Sequence, residues 1–170
     1  PFPNPDLDSL LPEGEKYLAM VREIIDVLYE FGIYTIIDFH QDIAHEMYGG
    51  DGFPDWALAI DEKHHRPIKA DHTNQLWFLG YNIDPLARNT LLSFWKNQLT
   101  NTEVGLHSYP VRTHFEKTIG QTAKFFREIN NGQGHMGILG YQLFNEPHPV
   151  GLHRKTFEEE YLASYYSNAL

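Results

Sequence analysis

The sequence contains no cysteine, which excludes a disulfide framework and a thiolate metal site and leaves the redox compartment open. It also lacks a basic excess: 23 acidic residues stand against 13 lysines and arginines, a formal charge of −10. A phosphate backbone is repelled by that sign, and no basic stripe is left to counter it, so nucleic-acid binding is not expected. There is no long apolar run. The longest, Ile33 to Ile37, is strand-sized and far short of the ~20 residues that cross a bilayer. The chain opens on Pro1 rather than Met, with no charged segment leading into an apolar one, so any targeting segment is expected upstream. Localisation stays open. Internal repeats and low-complexity tracts are absent.

What is present is the composition of one globular domain with a sizeable core: 170 residues, 42% hydrophobic and 14% aromatic. Leu18, Val21, Ile24, Ile25 and Leu28 recur at the spacing of one helix face, predicting a helix over 14–31 with Gly32 as its C-cap. Residues 33–39 are nearly all apolar and too few for a helix, the pattern of a strand buried on both faces. A second such unit starts near Thr113. Phe115, Ile119, Thr122, Phe126 and Ile129 form its stripe, Asn130-Asn131-Gly132 ends it, and 137–144 reads as another buried strand. Helices are also expected over 86–99 and 156–169.

Helices alternating with buried strands predict an α/β architecture, either a (β/α) barrel or a doubly wound sheet. The stretch from about 41 to 112 is far longer than ordinary βα loops of ~2–6 residues, and long excursions inside compact domains are usually functional. It leaves the C-terminal end of a strand, the face where α/β folds bind substrates. It is therefore expected to form part of a site wall.

Two strand ends carry polar groups: Asp38, His40 and Asp42 at the first, and Asn145-Glu146-Pro147 at the second. A single such residue is usually a cap or a satisfied buried group. Two strands ending this way point to a shared site.

Asn145-Glu146-Pro147 after the run Ile138 to Phe144 resembles the end of the fourth strand of glycoside hydrolase family 5. In that family the Glu is the catalytic acid/base and the preceding Asn binds the sugar 2-hydroxyl, roles that the resemblance carries to Glu146 and Asn145. The third strand of the family commonly ends in Asp-x-His, matched here by Asp38-Phe39-His40. The longer pattern Asp38-Phe39-His40-Gln41-Asp42, followed by Gly49-Gly50-Asp51-Gly52-Phe53-Pro54-Asp55-Trp56-Ala57, is similar to the endoglycoceramidase and glucocerebrosidase-like members. The resemblance implies an α/β fold, a partial (β/α)₈ TIM barrel around strands three and four, with residues 1–170 a fragment of a single catalytic domain. It implies retaining hydrolysis of β-glucosyl bonds in glycosphingolipids or other β-glucosyl lipids. A glycolipid or oligosaccharide is then the substrate, and peripheral membrane contact by the full-length protein is compatible with it. A β-glucan or cellulase-type endoglycosidase of the same family is the alternative.

Retaining hydrolysis needs two carboxyl groups ~5–5.5 Å apart, one to protonate the leaving oxygen and one to attack the anomeric carbon. Glu146 fills one role, and to act as an acid near neutral pH it needs an apolar surround or a neighbouring carboxylate. His40 and Asn145 are expected to orient sugar hydroxyls, Asp42 to fix the His40 tautomer, and Trp56 to stack on a sugar face. Trp77, Phe78 and Tyr81 are equally suited to the cleft or to the core. No second Glu ends an apolar strand; the family's nucleophile ends strand seven and is expected outside this chain.

Two rivals remain. His64, His65, Asp71 and His72 suggest a zinc site, but adjacent histidines point apart on an extended chain, and Lys63, Arg66 and Lys69 accompany them. Neither metal nor cofactor is expected. The other rival is a truncated, non-catalytic protein that binds glycans or lipids.

Overall fold

The computed structural model describes residues 9–58, 79–98 and 110–169. The histidine cluster at 64, 65 and 72, with Trp77 and Phe78, lies outside them. The chain divides into two compact units, 1–39 with 114–143 and 169–170, and 40–113 with 144–168.

In the first unit, helix α1 (Pro12–Glu30) begins on a proline, whose fixed φ suits the first helical turn, and carries Glu13 and Glu15 at the positive end of its dipole. It ends where the sequence predicts. Gly32 adopts φ +74°; its amide reaches the Tyr29 carbonyl at 2.9 Å, and the Ile33 amide reaches that of Leu28 at 2.9 Å. These two bonds close a Schellman motif, which needs the left-handed residue that glycine supplies.

Strands β1 (Thr35–Asp38) and β2 (Ile138–Gln142) follow α1 and α4 (Val111–Arg127), the helix-then-strand order expected. They pair in parallel as neighbours, Ile36 opposite Gly140 and Asp38 opposite Gln142, with a register shift between Thr35 and Ile36. The turn into β2 is made by Asn130 and Asn131, both at positive φ, and the Asn130 side chain donates to the Gly134 carbonyl. One face of the pair is covered: Ile37 and Ile138 pack on a core of Leu18, Ile25 and Phe126 from α1 and α4.

The expectation that both strands are buried on both faces is wrong for this chain. Ile36 is 59% and Leu139 68% exposed. Among the described residues the sheet has two strands, so each keeps an open edge and the face opposite the helices is uncovered. α1 departs from expectation in the same way. Ile24 does not join Leu18 and Ile25 but lies with Tyr17, Met20, Val27 and Phe31 on a second, exposed apolar stripe.

The second unit is organised around tryptophan. Single helical turns at Glu46–Tyr48 and Asp55–Ala57 and the short helix α2 (Gly80–Ile83) lead to α3 (Pro85–Trp95). The buried Asp84 caps α3 by accepting from the amides of Leu86 and Ala87, with Pro85 in the first turn. α3 ends at Trp95, four residues before the predicted limit, where Asn97 turns to φ +52°. Trp95 is fully buried, its ring 5.1 Å from Phe144, 4.9 Å from Phe157 and 5.9 Å from Tyr165. The last two rings come from the predicted final helix, which runs as α5 (Arg154–Thr156), a π-helical stretch Phe157–Leu162 and α6 (Ala163–Ala169). The Trp95 indole donates to the His148 carbonyl at 3.0 Å, and the Arg112 guanidinium donates to the Trp95 carbonyl at 3.0 Å.

Removing a buried aromatic side chain from such a cluster costs roughly 3–5 kcal/mol. Trp95→Ala is therefore expected to lower unfolding free energy by that amount in denaturant titration. Arg154→Ala, which breaks an exposed pair with Glu158 one helical turn away, is expected to leave the midpoint unchanged.

Candidate active site

The residues singled out from the sequence on the second unit are gathered first by backbone. Asp42 and Asp51 form an antiparallel bridge, each amide donating to the other's carbonyl, at 3.1 and 2.7 Å. This explains Gly50 and Gly52 of the Gly49-Gly50-Asp51-Gly52 loop. A Cβ on Gly50 would collide with the Asp42 carbonyl, and one on Gly52, which holds φ +112°, would lie 2.6 Å from the Gln41 Cβ. Only bare backbone can approach residues 41–42 so closely.

Side chains then join across the fold. His40 Nε2 lies 3.0 Å from Asp42 Oδ2, and the Asn145 side-chain amide donates to Asp42 Oδ1 at 3.3 Å and to the Gln41 carbonyl at 3.1 Å. Asn145, more than a hundred residues away in sequence, joins His40 and Asp42 in one hydrogen-bonded group. Glu146 follows directly, with φ +41°, a backbone setting that a non-glycine residue enters only when its surroundings hold it there. Its side chain is exposed. The apolar surround expected for an acid is thus not supplied by the described residues. Trp56 is placed differently, half-buried in the Asp55–Ala57 turn, whose Asp55 pairs with the buried His45 at 2.9 Å.

Sequence reading gave Gln41 no role beyond its place in the motif and left Tyr81 between cleft and core, yet these two residues hold the group. Gln41 is fully buried. Its side-chain amide donates to the Asn145 carbonyl at 3.0 Å and to the Tyr81 hydroxyl at 3.3 Å, and its side-chain oxygen accepts from the Ala44 amide at 3.2 Å. The Tyr81 hydroxyl also accepts from the Ile43 amide at 3.0 Å. Burial raises the Tyr81 pKa above its ordinary value, opposed by the bonds to Ile43 and Gln41 and reinforced by the negative charges of Asp42 and Glu146. Tyr81 thus stays a neutral phenol beside both carboxylates. The available signal was a polar Gln41 between His40 and Asp42, a position that sequence alone does not mark as buried.

No family model matches the chain. It is 25% identical over 143 residues to an endoglycoceramidase of Cyanea nozakii, covering 83% of this chain and 28% of that protein. It is 27% identical over 146 residues to endoglycoceramidase I of Rhodococcus hoagii, covering 84% and 25%. The solved structure of endo-glycoceramidase II from Rhodococcus sp. superposes with a TM-score of 0.69 at 26% identity, over 91% of this chain and 31% of that one. The chain is endoglycoceramidase-like in sequence and fold. It spans between a quarter and a third of the length of these relatives.

In this endoglycoceramidase-like chain a cation is one further occupant that the geometry permits. Among the described residues, His40, Asp42 and Asp51 bring ligand atoms within 4.8 Å of one another. Yet Asp42 already accepts from Asn145 through one oxygen and lies against His40 with the other.

The His148 ring stacks on that of Tyr81 at 4.7 Å and 17°. Burial lowers its pKa below the ordinary 6.5, and its Nδ1 accepts from the Val150 amide at 3.0 Å, which the imidazolium cannot do. As pH falls the unfolded chain takes up this proton first, so the stabilisation is complete above about pH 6.5 and is lost below it. His148→Asn keeps an acceptor for Val150 without titrating. Thermal melts between pH 7.5 and 5 are expected to show wild type losing stability relative to His148→Asn below about pH 6.5; parallel curves would contradict the assignment.

Proposed function

We propose that this chain is part of the catalytic domain of a retaining β-glycosidase acting on glycosphingolipids or other β-glucosyl lipids, with Glu146 as acid/base. The observation that carries the reading is the hydrogen-bonded group of His40, Asp42 and Asn145 beside Glu146. Its donors and acceptors suit adjacent sugar hydroxyls, and the sugar they hold would present its glycosidic oxygen to the next side chain along.

The neighbouring parallel strands β1 and β2 would be strands three and four of a (β/α)₈ barrel, a reading supported by the resemblance to endo-glycoceramidase II. The exposed stripe of α1 and the open sheet face would be covered by the barrel's other elements, which would also supply the walls that desolvate Glu146. The described parts of the excursion, 41–58 and 79–98, would form part of the cleft wall.

In the first half-reaction Glu146 protonates the departing glycosidic oxygen while a nucleophilic carboxylate, contributed from outside this chain, attacks the anomeric carbon. In the second, the Glu146 carboxylate takes a proton from the water that attacks the anomeric carbon; the bond from that carbon to the enzyme ester breaks, and the nucleophilic carboxylate is released. Asn145 would hold the 2-hydroxyl, and His40, oriented by Asp42, another hydroxyl of the same sugar. Trp56 would line the cleft. The relatives named as endoglycoceramidases support a glycolipid substrate.

Glu146→Gln in the full-length protein is the test. General acid catalysis contributes about 10²–10⁴-fold, so turnover of a β-glycosylceramide should fall by that order. A dinitrophenyl β-glycoside, whose leaving group needs no proton, should still form the glycosyl-enzyme, giving a burst followed by slow turnover. Glycosylceramide turnover within a few-fold of wild type would overturn the assignment.

A further inference from the structure

We propose that Gln41 is a positioning residue for Glu146, acting through the peptide group that joins Asn145 to Glu146; the inference rests on Glu146 being the acid/base. The carbonyl of that peptide accepts from the Gln41 side-chain amide at 3.0 Å. Its orientation fixes the plane from which the Glu146 Cα–Cβ bond projects. Glu146 sits at φ +41°, a conformation that L residues disfavour and leave when nothing holds them. A single hydrogen bond to the adjoining carbonyl is well placed to hold it.

The holder is itself rigid. Gln41 is fully buried, so its amide has no water to exchange with. Each polar atom of its side chain is used: the amide on Asn145 and Tyr81, the oxygen on the Ala44 amide. The Asn145 side chain returns a bond to the Gln41 carbonyl at 3.1 Å, so the two residues clasp each other twice. Tyr81 braces the clasp by receiving both the Gln41 amide and the Ile43 amide. Gly52 packs its bare Cα against the Gln41 backbone, which leaves no room for the clasp to slide.

Without the clasp, Glu146 is expected to rotate away from the leaving oxygen while the sugar-binding group of His40 and Asp42 stays in place. Displacing a catalytic group by about 1 Å costs on the order of 10²-fold. That loss should appear only where the acid is needed. The test, in the full-length protein, is kcat/KM for a β-glycosylceramide and for a dinitrophenyl β-glycoside of the same sugar, in Gln41→Met, Tyr81→Phe and Glu146→Gln. Gln41→Met is expected to lower glycosylceramide kcat/KM roughly 10–100-fold and the aryl value less than about 3-fold. Tyr81→Phe, which folds around the same ring, is expected to shift the ratio in the same direction by several-fold. A merely structural role would lower both substrates together, by reducing the folded fraction; that outcome, or no change in the ratio for either variant, would overturn the proposal. Should Glu146→Gln itself leave the ratio unchanged, the acid/base assignment fails, and the positioning role falls with it.

Discussion

A buried side-chain amide is the constraint on which the second unit's polar group depends. Gln41 has no solvent, so it must find partners within the fold, and a buried polar group left without them would cost more than its hydrogen bonds contribute. It finds them in the backbone at Ala44 and Asn145 and in the Tyr81 hydroxyl. Those partners bind the segment after β1 to the segment after β2 and to α2. The glycines at 50 and 52 follow from the same demand, since any side chain there would force residues 41–42 away from the loop that covers them. His40, Asp42 and Asn145 then come together because their neighbours in sequence are already fixed.

The aromatic core beneath serves this arrangement through His148. Trp95 anchors the His148 carbonyl, and the His148 ring stacks under Tyr81. A chain of contacts therefore runs from the fully buried Trp95 ring to the phenol that braces Gln41. On the proposed reading this preorganises the group, with its donors and acceptors held in place before a sugar arrives.

Element types and order were legible in the sequence because the signals were strong: a helical stripe ending in glycine before 33–39, and another ending in Asn-Asn-Gly before 137–144. The parallel pairing of β1 and β2 was legible for the same reason, since helix–strand repeats leave few other topologies. Burial was not. Ile36 and Leu139 are apolar yet exposed, and the apolar pattern of a strand records which faces the sequence can bury rather than which neighbours are present. Ile24 shows the same ambiguity on a helix with two apolar stripes, where spacing alone does not say which one meets the described core. In the candidate site the residues with recognisable chemistry, His40, Asp42, Asn145 and Glu146, could be named in advance because carboxylates and imidazoles after apolar strands stand out. The bracing roles of Gln41 and Tyr81 could not be assigned, because they lie in burial and hydrogen-bond partners rather than in side-chain type.

The central claim is that Glu146 protonates the leaving group in a double displacement, rather than attacking the sugar itself. The product formed by Glu146→Gln in the presence of azide decides between these roles. If Glu146 is the acid/base, the glycosyl-enzyme still forms with inverted configuration, and azide, which needs no base, attacks it with a second inversion. The full-length Glu146→Gln protein, given a dinitrophenyl β-glycoside and sodium azide, is then predicted to release a β-glycosyl azide, identified by the anomeric proton coupling in its NMR spectrum. An α-glycosyl azide would mean that Glu146 is the nucleophile, and the absence of any azide adduct with undiminished hydrolysis would mean that it is neither.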